Sequence, residues 1–443
     1  MQKLLIVNAK IVNEGRIEEK DVRIAEGRIA EICVGLQATN GEEVIDAAGK
    51  YLMPGMIDDQ VHFREPGLTH KGDINSESSA AVAGGITSFM EMPNVNPLTI
   101  NHQALEDKYI RAAQVSRANF AFYLGASNDN LDQIKSLDPK TACGIKVFMG
   151  ASTGNMLVDD PKVLDGIFSE APTLVVTHCE DTPMIAKNEQ VYKEKYGEDL
   201  PFKYHPLIRS AEACYKSSSM AIDLAKKHGT NLHVLHLTTE KEMELFIAGD
   251  MKDKKITAEV CIHHLFFNDQ DYDRLGSQIK CNPAIKRPED QQALIQAVLD
   301  DRIDVIATDH APHTWEEKQR SYFGAPAGLP LVQYALLSVL EFYHRGTFPL
   351  ELIVRKTSHA VADRFQVKDR GYIREGYWAD LVLVDLQDHT TVTRDQILSK
   401  CGWSPFEGYM FKSRIDTTIV NGQIAYRQGK LEPVIGKRME FNR

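Results

Sequence analysis

The first fifty or so residues alternate in short apolar runs, LLIVNAKIV, DVRIAEGRIAEI and EEVIDAAGKYL, separated by turn residues. Alternation with a two-residue period predicts an antiparallel sheet. The rhythm changes at Met56. From there GMIDDQVHF, ITSFMEM, NFAFYLGA, GIKVFMG, TLVVTHC, LHVLHL, ITAEVCI and DVIATDH read as eight strands. The segments between them, such as HQALEDKYIRAAQ, SAEACYKSSSMAIDLAKKHG and PEDQQALIQAVLDD, carry apolar residues at three- and four-residue steps and predict amphipathic helices. Eight strand-then-helix units predict a closed parallel (β/α)8 barrel of the TIM type. Beyond the last barrel strand, LPLVQYALLSVLEFYHRG and LELIVRKTSHAVADRF read as helices, and ADLVLVDL and RIDTTIVNGQIAY as strands.

The expected architecture is therefore α/β: a barrel over residues 55–365 and a small β-sandwich assembled from residues 1–54 and 366–443. A chain of 443 residues has room for both. No fixed-period repeat is visible, which removes solenoids and propellers. An open doubly wound sheet is disfavoured because no Gly-x-Gly-x-x-Gly or phosphate-binding loop opens a strand–helix junction.

Charge narrows the class of partner. The formal net charge of −11, without any block of lysines or arginines, argues against a nucleic-acid surface. An anionic ligand would have to be held by a few groups inside a pocket. Seven cysteines without a C-x-x-C pair read as reduced thiols. The opening KLLIVNAKIV is too short and too polar for a leader or a membrane span, so a soluble cytoplasmic protein is expected.

In a parallel barrel the chemistry sits where the strands end. Those tips hold Gln60 and His62 on the first strand, Asn94 after the second, Lys146 on the fourth, His178 on the fifth, His236 on the sixth and Asp309 on the eighth. Residues 60 and 62 share a strand face and can reach one ion. Neutral imidazole is a good zinc ligand, and Asp309 could ligate through one oxygen while the other handles protons. Taken singly, each has an ordinary structural role: a histidine after a strand is commonly hydrogen-bonded, and a buried lysine commonly pairs with a carboxylate. Converging from five staves of one barrel, they point to a metal. Lys146 lies among Ile145, Val147 and Phe148, where burial lowers its pKa and frees a neutral amine to capture carbon dioxide as a bridging carbamate. Arg64, two residues past His62, offers a planar fork suited to a carboxylate.

The motifs PGMIDDQVHFREPG (54–67), EMPNVNP (91–97), GIKVFMG (144–150), VVTHCED (175–181), HVLHLTT (233–239), KCNPAIK (280–286) and IATDHAPH (306–313) resemble the amidohydrolase superfamily, and within it the dihydroorotases. ADLVLVD (379–385) and SPFEG (404–408) extend the resemblance nearly to the C-terminus. It implies zinc, one or two ions, with Lys146, His178 and His236 holding one and the first strand with Asp309 holding the more buried one. It implies that Arg64, Asn94, Asn282 and His313 bind substrate, that Asp309 carries the proton, and that dihydroorotate and N-carbamoyl-L-aspartate are interconverted. A homodimer is implied too. Segment 322–330 is placed to belong to a substrate loop. His233, His263, His264 and His310 fall where the family has no ligand and read as core or supporting residues.

One position departs from the pattern: the family's H-x-H is Gln60–Val61–His62 here. An amide oxygen suits zinc less well than imidazole, so weaker binding of the deeper ion is expected. The alternatives are another cyclic amidohydrolase, namely a hydantoinase, dihydropyrimidinase or allantoinase, or a catalytically retired subunit beside, for example, a carbamoyltransferase.

Overall fold

The computed structural model describes residues 2–152 and 154–443. Three strands, β1 (Leu4–Asn13), β2 (Arg16–Ala25) and β3 (Arg28–Cys33), form an antiparallel meander. The next two, β4 (Glu43–Asp46) and β5 (Tyr51–Pro54), both pair with β1 in parallel, against the all-antiparallel expectation. Residues 34–42 form no strand and carry the chain back, so that β4 starts in the direction of β1. A bulge between Ile6 and Ala9, with Asn8 in the left-handed region (φ 58°), bends β1 so that its halves meet different partners.

The barrel follows. Its strands are β6 (Met56–Val61), β7 (Ile86–Glu91), β8 (Asn119–Phe122) continued as β9 (Leu124–Gly125), β10 (Ile145–Phe148), β11 (Val175–His178), β12 (Leu232–Val234), β13 (Ile256–Cys261) and β14 (Val305–Ala307). Every neighbouring pair is parallel. The ring closes where Val61 bridges His310 and the His62 amide donates to the His310 carbonyl at 2.7 Å. Counting β8 and β9 as one interrupted stave, this is an eight-stranded closed barrel.

Alternation along the strands makes two cores. Phe89, Phe120, Val147, Val175, Val234, Val260 and Ile306 face the surrounding helices. Their neighbours Met90, Val176, Leu235 and Val305 face inward and pack with Phe365, Val367 and Phe441. Both faces are dry, which is why these strands read as continuous apolar runs. Truncating fully buried Phe89 to Ala would cost about 3–5 kcal/mol, because its cavity cannot collapse against a closed barrel. The helices start and stop on local signals: Ser210 caps Ala211–His228 by accepting from the Ala213 amide, and Gly229 ends it in the left-handed region (φ 70°) after Lys226, Lys227 and His228.

The chain end returns to the first sheet. Strands β15 (Leu381–Asp385), β18 (Arg414–Val420), β19 (Gln423–Arg427) and β20 (Lys430–Leu431) extend it in the order β20-β19-β18-β15-β5-β1-β2-β3, while β16 (Thr390–Thr391) and β17 (Met410–Phe411) form a separate pair. The sandwich is thus one hydrogen-bonded sheet curled over Leu4, Ile6, Val22, Ile24, Leu52, Leu381 and Ile419. The curl brings Gly27 against the Asn421 carbonyl, 2.8 Å from where a Cβ would sit, and its φ of 80° also calls for glycine. Among the described residues no helix is long and apolar enough to cross a membrane.

Candidate metal centre at the barrel mouth

The geometry of the site begins with a bulge on β6. Asp58 pairs with Phe89 and Val61 with Glu91, so three residue steps on β6 oppose two on β7. The extra residue breaks strict alternation, and both Asp59 and Gln60 turn toward the barrel interior. Asp58 anchors the distortion: its carboxylate accepts from the Thr308 hydroxyl (2.6 Å) and from the amides of Thr308 and Gln60. Full burial nevertheless pushes the Asp58 carboxyl up to about 8.

Gln60 Nε2 donates to Asp309 Oδ1 at 3.1 Å, and His62 Nε2 lies 3.1 Å from the same oxygen. His62 Nδ1 lies 2.8 Å from Asn94 Oδ1 on its other side. Burial holds the His62 imidazole below its usual pKa. At Asp309 burial pulls upward, but the hydrogen bond and charge of His62, with His263 and Lys146 nearby, outweigh it and hold the carboxyl below the usual range.

A second pair faces this one. His178 Nδ1 and His236 Nε2 are 2.9 Å apart. Glu180 Oε2 accepts from His178 Nε2 at 2.8 Å and from Arg209 Nη1 at 2.5 Å, so the Nδ1 lone pair of His178 points at His236. Burial opposes ionisation of Glu180, but Arg209 and His178 hold its carboxyl down to about 2. His236 sits well below the imidazole range through burial and through the charges of His178 and Lys146. Lys146 is 1% exposed, its Nζ lies over the Phe148 ring at 4.6 Å, and burial lowers it to about 8.

These donors suit a divalent cation. They are imidazole nitrogens, with His178 and His236 only 2.9 Å apart, one ionised carboxylate and one amine of reduced basicity. Three of the residues concerned, Arg64 (φ 72°), His236 (φ 39°) and Asp309 (φ 50°), occupy the left-handed region. For non-glycine residues this costs on the order of 1–3 kcal/mol each, and it turns side chains at strand ends toward a common centre.

Beside these donors lies a cationic cradle. Arg64 donates through Nε to the Pro312 carbonyl at 3.0 Å, and its Nη2 is 3.0 Å from His313 Nε2. Lys71 Nζ donates to His313 Nδ1 at 3.0 Å, and Ala327 O is 3.0 Å from His313 Nε2. Burial, then Arg64 and Lys71, keep His313 well below its usual pKa, so it is neutral beside two cations. Asn282 Oδ1 is buried without a hydrogen-bond partner among the described residues. Asn94, expected at the substrate, spends its carbonyl on His62. Segment 322–330 packs onto the mouth, where Lys280 donates to the Tyr322 and Ala325 carbonyls and Lys318 to those of Pro326 and Gly328.

Sequence reasoning missed Glu180, Arg209, Lys71 and Glu77. Glu180 had a signal, its two-residue spacing from His178; Arg209 and Lys71 had none, because they arrive from loops. His310 is held by Glu77 at 2.9 Å and accepts from the Leu331 amide at 2.8 Å. A cleft of about 580 Å³ at the opposite end of the barrel has its arginines committed to backbone carbonyls, Arg443 to those of Pro139, Ala142, Cys143 and Phe365 and Arg364 to those of Leu232 and Lys255.

The chain is 33% identical to a dihydroorotase of Halobacterium salinarum (91% of this chain, 92% of that protein) and 32% identical to one of Methanothermobacter thermautotrophicus (95% and 92%). It superposes on the L-hydantoinase (dihydropyrimidinase) of Arthrobacter aurescens with a TM-score of 0.94 at 26% identity, over 99% of this chain and all of that one. The dihydropyrimidinase of Brevibacillus agri shares the fold at a TM-score of 0.90 and 24% identity, with both chains fully covered. The amidohydrolase family profile matches residues 51–425, and the chain belongs to the amidohydrolase family.

Proposed function

We propose that the chain is a dihydroorotase, interconverting (S)-dihydroorotate plus water and N-carbamoyl-L-aspartate in pyrimidine synthesis. The observation that carries this reading is the Arg64–Lys71–His313 cradle beside the convergent ligands, because dihydroorotate, unlike a plain hydantoin or dihydropyrimidine, bears a carboxylate. The curated relatives at 33% and 32% identity support it. The retired-subunit alternative rests on Gln60 alone.

Zinc is the proposed metal, as one or two ions. Lys146, carboxylated on Nζ, with His178 and His236 would hold one; Gln60, His62 and Asp309 would hold the other. A half-turn of the Gln60 amide exchanges Nε2 for Oε1 and turns a carbonyl oxygen to the ion. When bound, such a metal lowers the pKa of water to about 7 and polarises a carbonyl.

The chain's own residues do the rest. Arg64, Asn282, His313 and the free amide nitrogen of Asn94 grip the carboxylate and ring and set the reacting carbonyl before Asp309. In ring opening, the oxygen of water bonds to the carbonyl carbon and the C–N bond breaks. Asp309 takes one proton from water and delivers it to the departing nitrogen; its lowered pKa keeps it ionised and ready to accept at neutral pH. Ring closure runs these steps backward. Free thiols at all seven cysteines support the proposed cytoplasmic location; a homodimer rests on family resemblance alone.

The test is a panel of cyclic amides assayed with zinc: dihydroorotate, hydantoin, dihydrouracil and allantoin. Turnover of dihydroorotate well above the others supports the reading; preference for an uncharged ring overturns it.

A further inference from the structure

Below the mouth, sealed inside the barrel, three titratable side chains meet that the mechanism does not use. Asp59 comes from the β6 bulge, His233 from β12 and Glu259 from β13, all fully buried. His233 Nε2 lies 3.4 Å from Asp59 Oδ2 and 3.6 Å from Glu259 Oε2. Among the described residues, both Asp59 oxygens, Glu259 Oε2 and His233 Nε2 have no hydrogen-bond partner. Two carboxylates left this way in a dry interior would carry a desolvation cost of several kcal/mol each.

The imidazole is oriented for them. Thr257 directs its hydroxyl hydrogen at the Leu232 carbonyl (3.4 Å) and accepts from His233 Nδ1–H at 2.7 Å. The lone pair of Nε2 therefore faces the two carboxylates, a repulsion that a bound cation or a shared proton would relieve. A proton on Nε2 serves one acceptor well, at roughly 2.7–3.2 Å, and both gaps here are wider. With metal–ligand bonds of about 2.1 Å, the edge of a coordination tetrahedron is about 3.4 Å, close to both separations.

We propose that Asp59, His233 and Glu259 form a buried site for a zinc-type divalent cation, separate from the ions at the mouth. Two carboxylates and a neutral imidazole balance the dication, and the second Asp59 oxygen, also without a partner, is available as a fourth donor. The ion ties β6 to β12 and β13 across the barrel. It also braces the mouth from beneath: Glu259 Oε1 accepts from the His236 amide at 3.0 Å, and Cys261 Sγ touches both Glu259 Oε1 (3.5 Å) and Gln60 Oε1 (3.6 Å). The site is a structural brace and does not depend on the choice of substrate.

The decisive experiment uses the unsubstituted protein crystallised with zinc, with anomalous difference maps from data on both sides of the zinc edge. A peak among Asp59, His233 and Glu259, apart from density at His178 and His236, is expected. Its absence overturns the proposal and identifies a proton-sharing cluster instead. Elemental analysis of Asp59→Asn, which keeps the side-chain shape, should show one ion per chain fewer than the unsubstituted protein; an unchanged count also overturns it. Neither readout involves turnover, so its failure is distinguishable from failure of the dihydroorotase reading.

Discussion

Gln60 and Asp309 are joined by a 3.1 Å hydrogen bond from Nε2 to Oδ1, and His62 reaches the same oxygen from the next inward position of the strand. An amide thus stands where the family's first strand carries a histidine, and it already touches the carboxylate that would share its ion. Restoring the imidazole should strengthen that site. In Gln60→His, the affinity for the deeper ion should rise by roughly tenfold or more, read by competition with a chelator. Unchanged affinity would mean that residue 60 is no ligand.

Asp309→Asn keeps the shape but removes the acceptor for the proton. The expected result is a fall in kcat of roughly 10²–10⁴-fold with a melting temperature within a few degrees of the parent. Near-parental kcat would remove Asp309 from proton transfer.

Arg64 is buried, and its charge should matter for an anionic ring and hardly at all for a neutral one. Arg64→Met should lose roughly 10²-fold or more in kcat/KM for dihydroorotate and less than tenfold for hydantoin. Equal losses on both rings would assign Arg64 to scaffolding.

Glu180 is a positioning residue acting through His178. Glu180→Gln should weaken binding of the ion at His178 and His236 by roughly 10–100-fold, measured by zinc titration. A pH signature accompanies this. The Glu180 carboxyl is held down to about 2 in the folded protein, so its stabilisation is present above the unfolded carboxylate pKa and is lost as pH falls from about 4.5 toward 2. Spread over that window it amounts to roughly 3 kcal/mol. Metal-free Glu180→Gln should be less stable at neutral pH and lose less on acidification; parallel acid-unfolding curves for the two proteins would contradict this.

The amino-acid order by itself determined the barrel and the strand-rich character of the two chain ends, because two- and three-to-four-residue periodicities report directly which faces are dry. It also determined the positions of His62, Lys146, His178, His236 and Asp309, since strand ends in a parallel barrel all open on one mouth. Only the tertiary structure decided what meets what. The parallel pairing of β4 and β5 with β1, the bulge that turns Asp59 inward, the Glu180–Arg209 support of His178 and the arrival of Lys71 at His313 all join residues from separate segments. Local periodicity carries no record of such meetings, because chain closure and packing set them after the elements have formed.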